Sequence, residues 1–184
     1  MGKYAFGIPD EFLDILEKEF SIKAVVGKYE EDAKGKVNKG DIAQKVFGDY
    51  GRNLADRIIE LEGNFRDNTA KVIYEVAAKT GHVFPSVPQR LLEIGFNALR
   101  PFDEWKYREV SHKSLVIEVK DCTINKGLKE EIGEGEAKQI PCRSLCLGFS
   151  DELFKKLGLK VELSMTKSRP VEGCCCFRAD LQGK

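Results

Sequence analysis

Ile140-Pro-Cys-Arg-Ser-Leu-Cys146, taken together with Gly173-Cys-Cys-Cys-Phe177, is the stretch on which the reading of the fold turns. Pro141 suits the first turn of a helix, because its ring fixes a helical φ and the N–H it lacks would be unpaired there. From that start Cys142, Cys146, Phe149, Leu153 and Leu157 recur at helical spacing and form one apolar face, the alternative being a break at Gly148 and Ser150 where a new helix starts. The second piece alternates instead. Cys175, Phe177, Ala179 and Leu181 share one face of a strand, and Cys174, Cys176, Arg178 and Asp180 share the other. Cys175 is therefore expected in the core, with its two neighbours turned away from it.

Outward from these pieces the same two periods recur. Leu159, Val161, Leu163 and Met165 alternate with Lys160, Glu162, Ser164 and Thr166, the clearest strand in the chain. Trp105, Tyr107 and Glu109 alternate with Lys106 and Arg108. Past a turn at Ser111-His112, Leu115, Ile117 and Val119 alternate with Val116, Glu118 and Lys120, which predicts a hairpin. Residues 127–139, rich in glycine and glutamate, read as an irregular excursion.

Before Pro101 the period is helical. Phe12, Ile15, Leu16 and Phe20 form one stripe that runs on through Val25, Val26 and Tyr29, followed by a charged loop over 30–40. A second stripe runs from Ile42 through Val46, Phe47, Tyr50, Leu54 and Ile58 to Leu61, interrupted by Gly48 and Gly51, a place where another element packs closely. A third helix is expected around Val72–Ala77, ended by Gly81, and a fourth from Pro88 with Leu91, Leu92, Gly95 and Leu99. The predicted class is α+β, with about four N-terminal helices followed by a four-stranded antiparallel sheet and one helix packed between its two hairpins. It is expected to form a single domain over 1–184, helical in 1–100 and sheet- and cysteine-bearing in 101–184.

The chain of 184 residues is long enough to close a core without staples. Its 30 basic side chains balance 30 acidic ones, so no long-range field points to nucleic acid or to an anionic membrane. No apolar run approaches ~20 residues, the length a membrane span needs, and the N-terminus lacks the apolar stretch of a secretory signal. A cytoplasmic location is expected. There the six cysteines are thiols, metal ligands or reactive groups rather than structural disulfides.

Val119-Lys-Asp-Cys122, then Pro141-Cys142, a helix, an alternating strand, Arg169-Pro170 and a final Cys175-x-Phe177 carry a family likeness. Over roughly residues 105–181 the chain resembles the relatives of L-2-amino-thiazoline-4-carboxylate hydrolase, close to the 4-vinyl reductase domain. That superfamily also holds phenol-sensing regulators, haem-based nitric-oxide sensors and TRAPP trafficking subunits. The resemblance implies N-terminal helices and an antiparallel sheet around a small-molecule pocket. In its zinc-binding form the ligands would include Cys142 and Cys175. The Glu-x-x-Cys element of that form is not matched, since Ser164-Met-Thr-Lys-Ser168 stands in its place.

Several readings of the site follow. Zinc held by Cys142 and Cys175, completed by Cys122 or Cys146, would meet the metal's preference for four soft ligands, although no Cys-x-x-Cys pair is present. A nucleophilic Cys142 is favoured by the helix start and by Arg143, both of which stabilise a thiolate. The bases on offer are His82, His112 and Asp121, each of which also suits an ordinary loop or turn. The plainer reading makes the cysteines small buried apolar groups. Trp105, Tyr107, Phe149, Met165 and Phe177 are candidates to line an apolar pocket, with Arg169 receiving an acidic group at its mouth. The expected function is a small-molecule-binding domain with an apolar pocket and a cysteine cluster. The alternatives are a hydrolase of a small cyclic C–N or C–S compound, acting through Cys142 or a cysteine-bound metal, and an interaction module that forms a homodimer.

Overall fold

The computed structural model describes residues 10–64, 95, 104–111, 113–140 and 142–182. The first predicted stripe is two helices rather than one. Helix α1 spans Asp10–Glu19 and buries Phe12, Leu13 and Leu16, and α2 spans Ile22–Ala33 and buries Val25, Val26, Tyr29 and Ala33. The break is chemical. Ser21 takes an extended conformation, and its Oγ accepts the Ala24 N–H at 3.1 Å, so the second helix starts with one orphan donor satisfied. The charged loop then begins only after Ala33.

Helix α3, Lys39–Asn64, carries the second stripe without interruption and buries Ala43, Val46, Phe47, Leu54, Ala55, Ile58 and Leu61. Two contacts tie it to the first pair. The Tyr50 hydroxyl donates to the Phe20 carbonyl while the two rings meet edge-to-face at 5.5 Å. Arg57 donates twice to the Glu19 carboxylate, at 2.9 Å each. The predicted third and fourth helices lie outside the described residues, apart from Gly95, which is helical and buried.

The sheet is four-stranded and antiparallel, as expected. Its strands are β1 (Trp105–Val110), β2 (Ser114–Val119), β3 (Val161–Lys167) and β4 (Cys175–Leu181), in the order β1-β2-β4-β3. The two hairpins therefore join along β2 and β4, which become the central strands. Between them the expected excursion proves ordered. Helix α4, Thr123–Ile132, buries Ile124 and Leu128, and the one-turn α5, Glu134–Ala137, buries Ala137. Gly127 does not break α4. It lets Ile22 of α2 come close, and a Cβ there would stand 3.2 Å from that side chain. The real stop is Gly133, whose φ of 81° ends the helix.

Helix α6, Arg143–Lys156, runs continuously through Gly148 and Ser150 and buries Leu145, Cys146, Phe149, Leu153 and Phe154. It crosses α3 backbone to backbone. A Cβ on Gly51 would overlap the Leu145 carbonyl and stand 2.8 Å from the Phe149 nitrogen, and one on Gly148 would stand 2.6 Å from the Gly48 carbonyl oxygen. The paired glycines are what allow the two axes to approach so closely.

The outer face of the sheet is polar. A register shift between Tyr107 and Glu109 leaves Arg108 at a bulge, where its guanidinium turns onto Glu118 of β2, with Nε at 3.0 Å and Nη2 at 2.8 Å. Lys106 reaches the same carboxylate at 3.6 Å. Arg178 of β4 bonds Asp180 at 2.7 Å and Glu109 at 3.2 Å. The Arg108 hydrogen bonds, opposed by burial, hold the Glu118 carboxyl below its usual range.

Two outcomes are expected. Gly51→Ala has no room and should lower the unfolding free energy by at least about 1–3 kcal/mol, the usual cost of overpacking, as read from urea denaturation. Because the folded pKa of Glu118 is depressed, its contribution is present above about pH 4.3 and lost as pH falls through the folded value. Glu118→Gln should therefore be less stable than the parent at pH 7, with the gap narrowing as pH falls below about 4.3. A gap independent of pH would contradict the ion pair's role.

Candidate functional site

Strand pairing brings four of the residues expected to bind ligand onto one face. Tyr107 pairs with Ile117, Ile117 with Phe177, and Phe177 with Met165, so a single row of apolar side chains crosses all four strands. The neighbouring row is Trp105, Val119 and Cys175. Trp105 and Tyr107 meet edge-to-face with ring centroids 5.3 Å apart. The central members Ile117, Val119 and Phe177 are buried, while Trp105, Tyr107 and Met165, on the edge strands, are half-buried. This inner face belongs to the hydrophobic core shared with the helices.

Phe149, the fifth expected lining residue, reaches the core from α6. It is 3% exposed, and its ring tip occupies the space beside Gly95, where a Cβ would stand 2.7 Å from Cζ. Its position is set by the glycine crossing, since its own backbone nitrogen is one of the atoms pressed against Gly51.

Arg169 is committed to holding a corner. It opens the one-turn helix α7, Arg169–Glu172, which is closed by Gly173 at φ 72°. Its Nη1 donates to the Gly173 carbonyl at 3.3 Å, and its Nη2 lies 3.6 Å from Asp121 Oδ1. Its backbone N–H donates to the Cys175 sulfur at 3.3 Å. Asp121 in turn accepts the Cys122 N–H at 3.0 Å and the Lys126 ammonium at 2.5 Å. The Lys126 hydrogen bond, then the Cys122 N–H and the nearby cations, hold the Asp121 carboxyl below its usual range against the opposing effect of burial. Asp121 is thus an ionised clamp that fixes the end of β2, the start of α4 and α7 together, rather than a proton donor.

The six cysteines divide by burial. Cys122, Cys142, Cys146 and Cys175 are buried thiols, and Cys174 and Cys176 are half-buried, so the period-two expectation for the triplet matches the structure. Cys142 and Cys146 face the core from the start of α6. Cys142, just ahead of the helix, has helical φ and ψ of −55° and −20°. Cys122 precedes α4, and Cys175 begins β4. The structure does not assemble the expected zinc set: among the described residues, no group of three or more His, Cys, Asp or Glu side chains is placed to hold a metal. The four thiols enter the hydrophobic core from three places, Cys142 and Cys146 at the start of α6, Cys122 ahead of α4 and Cys175 on β4, and pack there as small buried groups. His82 and His112, considered as bases, lie outside the described residues.

Two clefts lie elsewhere. One, of about 340 Å³, runs along the α3–α6 crossing past Gly48, Gly148, Arg52 and Asp151. The other, of about 470 Å³, opens between α2, the start of α3 and α5 and includes Tyr29. Tyr29 was legible in the sequence only as part of an apolar stripe. The signal available was its polar tip, which a buried tyrosine ordinarily has to satisfy. Among the described residues, no helix is long and apolar enough to cross a membrane.

No family model and no curated protein matches the chain. Among solved structures, it is similar to the Fe(II) unliganded H-NOX protein from K. algicida, at 13% identity and a TM-score of 0.44, over 100% of this chain and 98% of that one. It is also similar to an H-NOX protein from S. oneidensis in the Fe(II)NO ligation state, at 9% identity and a TM-score of 0.46, over 94% of this chain and 98% of that one. Superpositions this loose transfer no family, ligand or activity. The resemblance to the thiazoline-carboxylate hydrolase relatives gains no support from them.

The burial pattern predicts the order of thiol reactivity. Titrating the native protein with an aromatic disulfide reagent should modify two thiols quickly, Cys174 and Cys176, with the other four reacting only on unfolding. Fast and selective modification of Cys142 would contradict its placement as a core residue.

Proposed function

We propose that the chain binds a small apolar molecule against the inner face of its sheet. The observation that supports this most directly is the continuous row of Tyr107, Ile117, Phe177 and Met165 with Trp105 beside it. Aromatic rings offer flat apolar surface at low entropic cost, and a methionine adapts its shape to what it touches. Both kinds sit on the edge strands, half-buried, while the centre of the face is closed.

The polar groups nearby do not favour an acidic ligand. Arg169 is already engaged by Asp121 and the Gly173 carbonyl, so the charge expected at a pocket mouth is spent on the corner. The cysteines contribute apolar lining in this reading, with neither a metal nor a covalent step. Affinity then rests on area removed from water and should scale with the size of the ligand's apolar surface.

Trp105 is the sole tryptophan, which makes it a clean reporter. Titration with toluene or 1-decanol should change its emission saturably. Met165→Ala, which removes one half-buried contact, should weaken that response about fivefold, the effect of roughly 1 kcal/mol of lost burial. Emission that stays constant up to the solubility limit of both probes, or a response of equal strength in Met165→Ala, would overturn the proposal.

A further inference from the structure

The cleft between α2, α3 and α5 is separate from the sheet and has its own polar chemistry. Its walls are Tyr29, Lys39, Gly40, Ala43, Glu136, Gln139 and Ile140, enclosing about 470 Å³. Tyr29 is only 5% exposed, its ring held against Phe47 at a centroid distance of 6.2 Å. Among the described residues its hydroxyl has no hydrogen-bond partner, although a buried hydroxyl left unpaired is costly. Tyr29 lines this cleft, with Glu136 on the opposite wall. Burial, then Glu136 and Glu30, raise the Tyr29 pKa and keep the phenol protonated as a donor.

Three further features converge there. The first helical bond of α3 is Ile42 N–H to the Asn38 carbonyl, which leaves the amides of Lys39, Gly40 and Asp41 without helical acceptors. The space over Gly40 is open, with nothing within 4 Å of where its Cβ would be. Lys39 and Glu136 carry opposite charges, and among the described residues neither is in an ion pair. On one side, then, the cleft holds donors only: the helix amides, an ammonium and a phenol. On the other it holds a carboxylate and the Gln139 amide. Asp41 in the first turn and Glu30 beside Tyr29 both count against a bare anion. A ligand that is purely cationic would leave the donors unmet.

We propose that this cleft binds a small zwitterion of the amino-acid type. Its carboxylate accepts from Tyr29, Lys39 and the start of α3, and its ammonium lies against Glu136. The helix terminus and Lys39 supply the positive field for the carboxylate, and Tyr29 supplies the hydrogen bond that fixes its orientation.

The test is thermal unfolding of the full chain with each of the common free L-amino acids in turn, with acetate and methylammonium as single-charge probes. At least one amino acid should raise Tm saturably, while neither single-charge probe does. Tyr29→Phe keeps the ring on Phe47 and loses only the hydroxyl, so it should fold and bind that amino acid about tenfold more weakly. Glu136→Gln, at an exposed position, should weaken binding similarly. The proposal is overturned if no amino acid shifts Tm, if acetate or methylammonium alone shifts it as much, or if the shift survives unchanged in Tyr29→Phe.

Discussion

The backbone contact between α3 and α6 is the constraint on which the other placements rest. Gly48 and Gly51 on one helix and Gly148 on the other leave no side chain between the axes, so carbonyl and amide atoms come into direct contact. Such proximity fixes the rotation of both helices as well as their distance, because a turned helix would drive a Cβ into the facing backbone. With that rotation set, Phe47, Leu54 and Ile58 of α3 and Leu145, Phe149 and Leu153 of α6 face a common interior. Phe149 reaches Gly95 for the same reason: its own backbone is part of the crossing.

The sheet completes this interior by keeping its two faces chemically distinct. On the inner face, rows of apolar residues cross from β1 to β3 and join the helical core. On the outer face, Lys106, Arg108, Glu118, Arg178, Asp180 and Glu109 satisfy one another. A slip of one residue would exchange these faces, placing Glu118 in the core and Ile117 in solvent. The Arg108–Glu118 pair therefore contributes to register as well as to charge balance. The Asp121–Arg169 corner does a similar task at one end of the sheet, where the chain leaves β2 and re-enters β4.

How much of this was legible in the sequence depended on whether the governing interaction is local. Period-two alternation placed Tyr107, Ile117, Phe177 and Met165 on the inner face and separated Cys175 from its neighbours, because alternation follows from strand geometry alone. The close approach at Gly48 and Gly51 was readable from the glycines, but they were read as interruptions of a helix that in fact continues, and Gly148 and Ser150 left a break in α6 open that does not occur. The break at Ser21 was not. The stripes of α1 and α2 remain nearly in phase across it, and only the Ser21 cap separates them. Helix α4 was missed because Gly127 resembles a breaker until Ile22 is seen packed against it. The zinc set rested on what the family resemblance implied for Cys142 and Cys175, with no information on convergence in this chain, and the partners of Glu118 and Asp121 come from distant strands and turns that no local pattern reports.

The central claim is that the α3–α6 crossing and the central strands form one cooperative core. Native-state hydrogen exchange followed residue by residue addresses it most directly. Amides around Gly48–Leu54 of α3, Cys146–Leu153 of α6, and the paired positions of β2 and β4 should exchange in the slowest class, with a common opening free energy equal to that of global unfolding. Exchange of the α3 amides well ahead of those in β2 and β4, by an opening that leaves the sheet closed, would contradict the account.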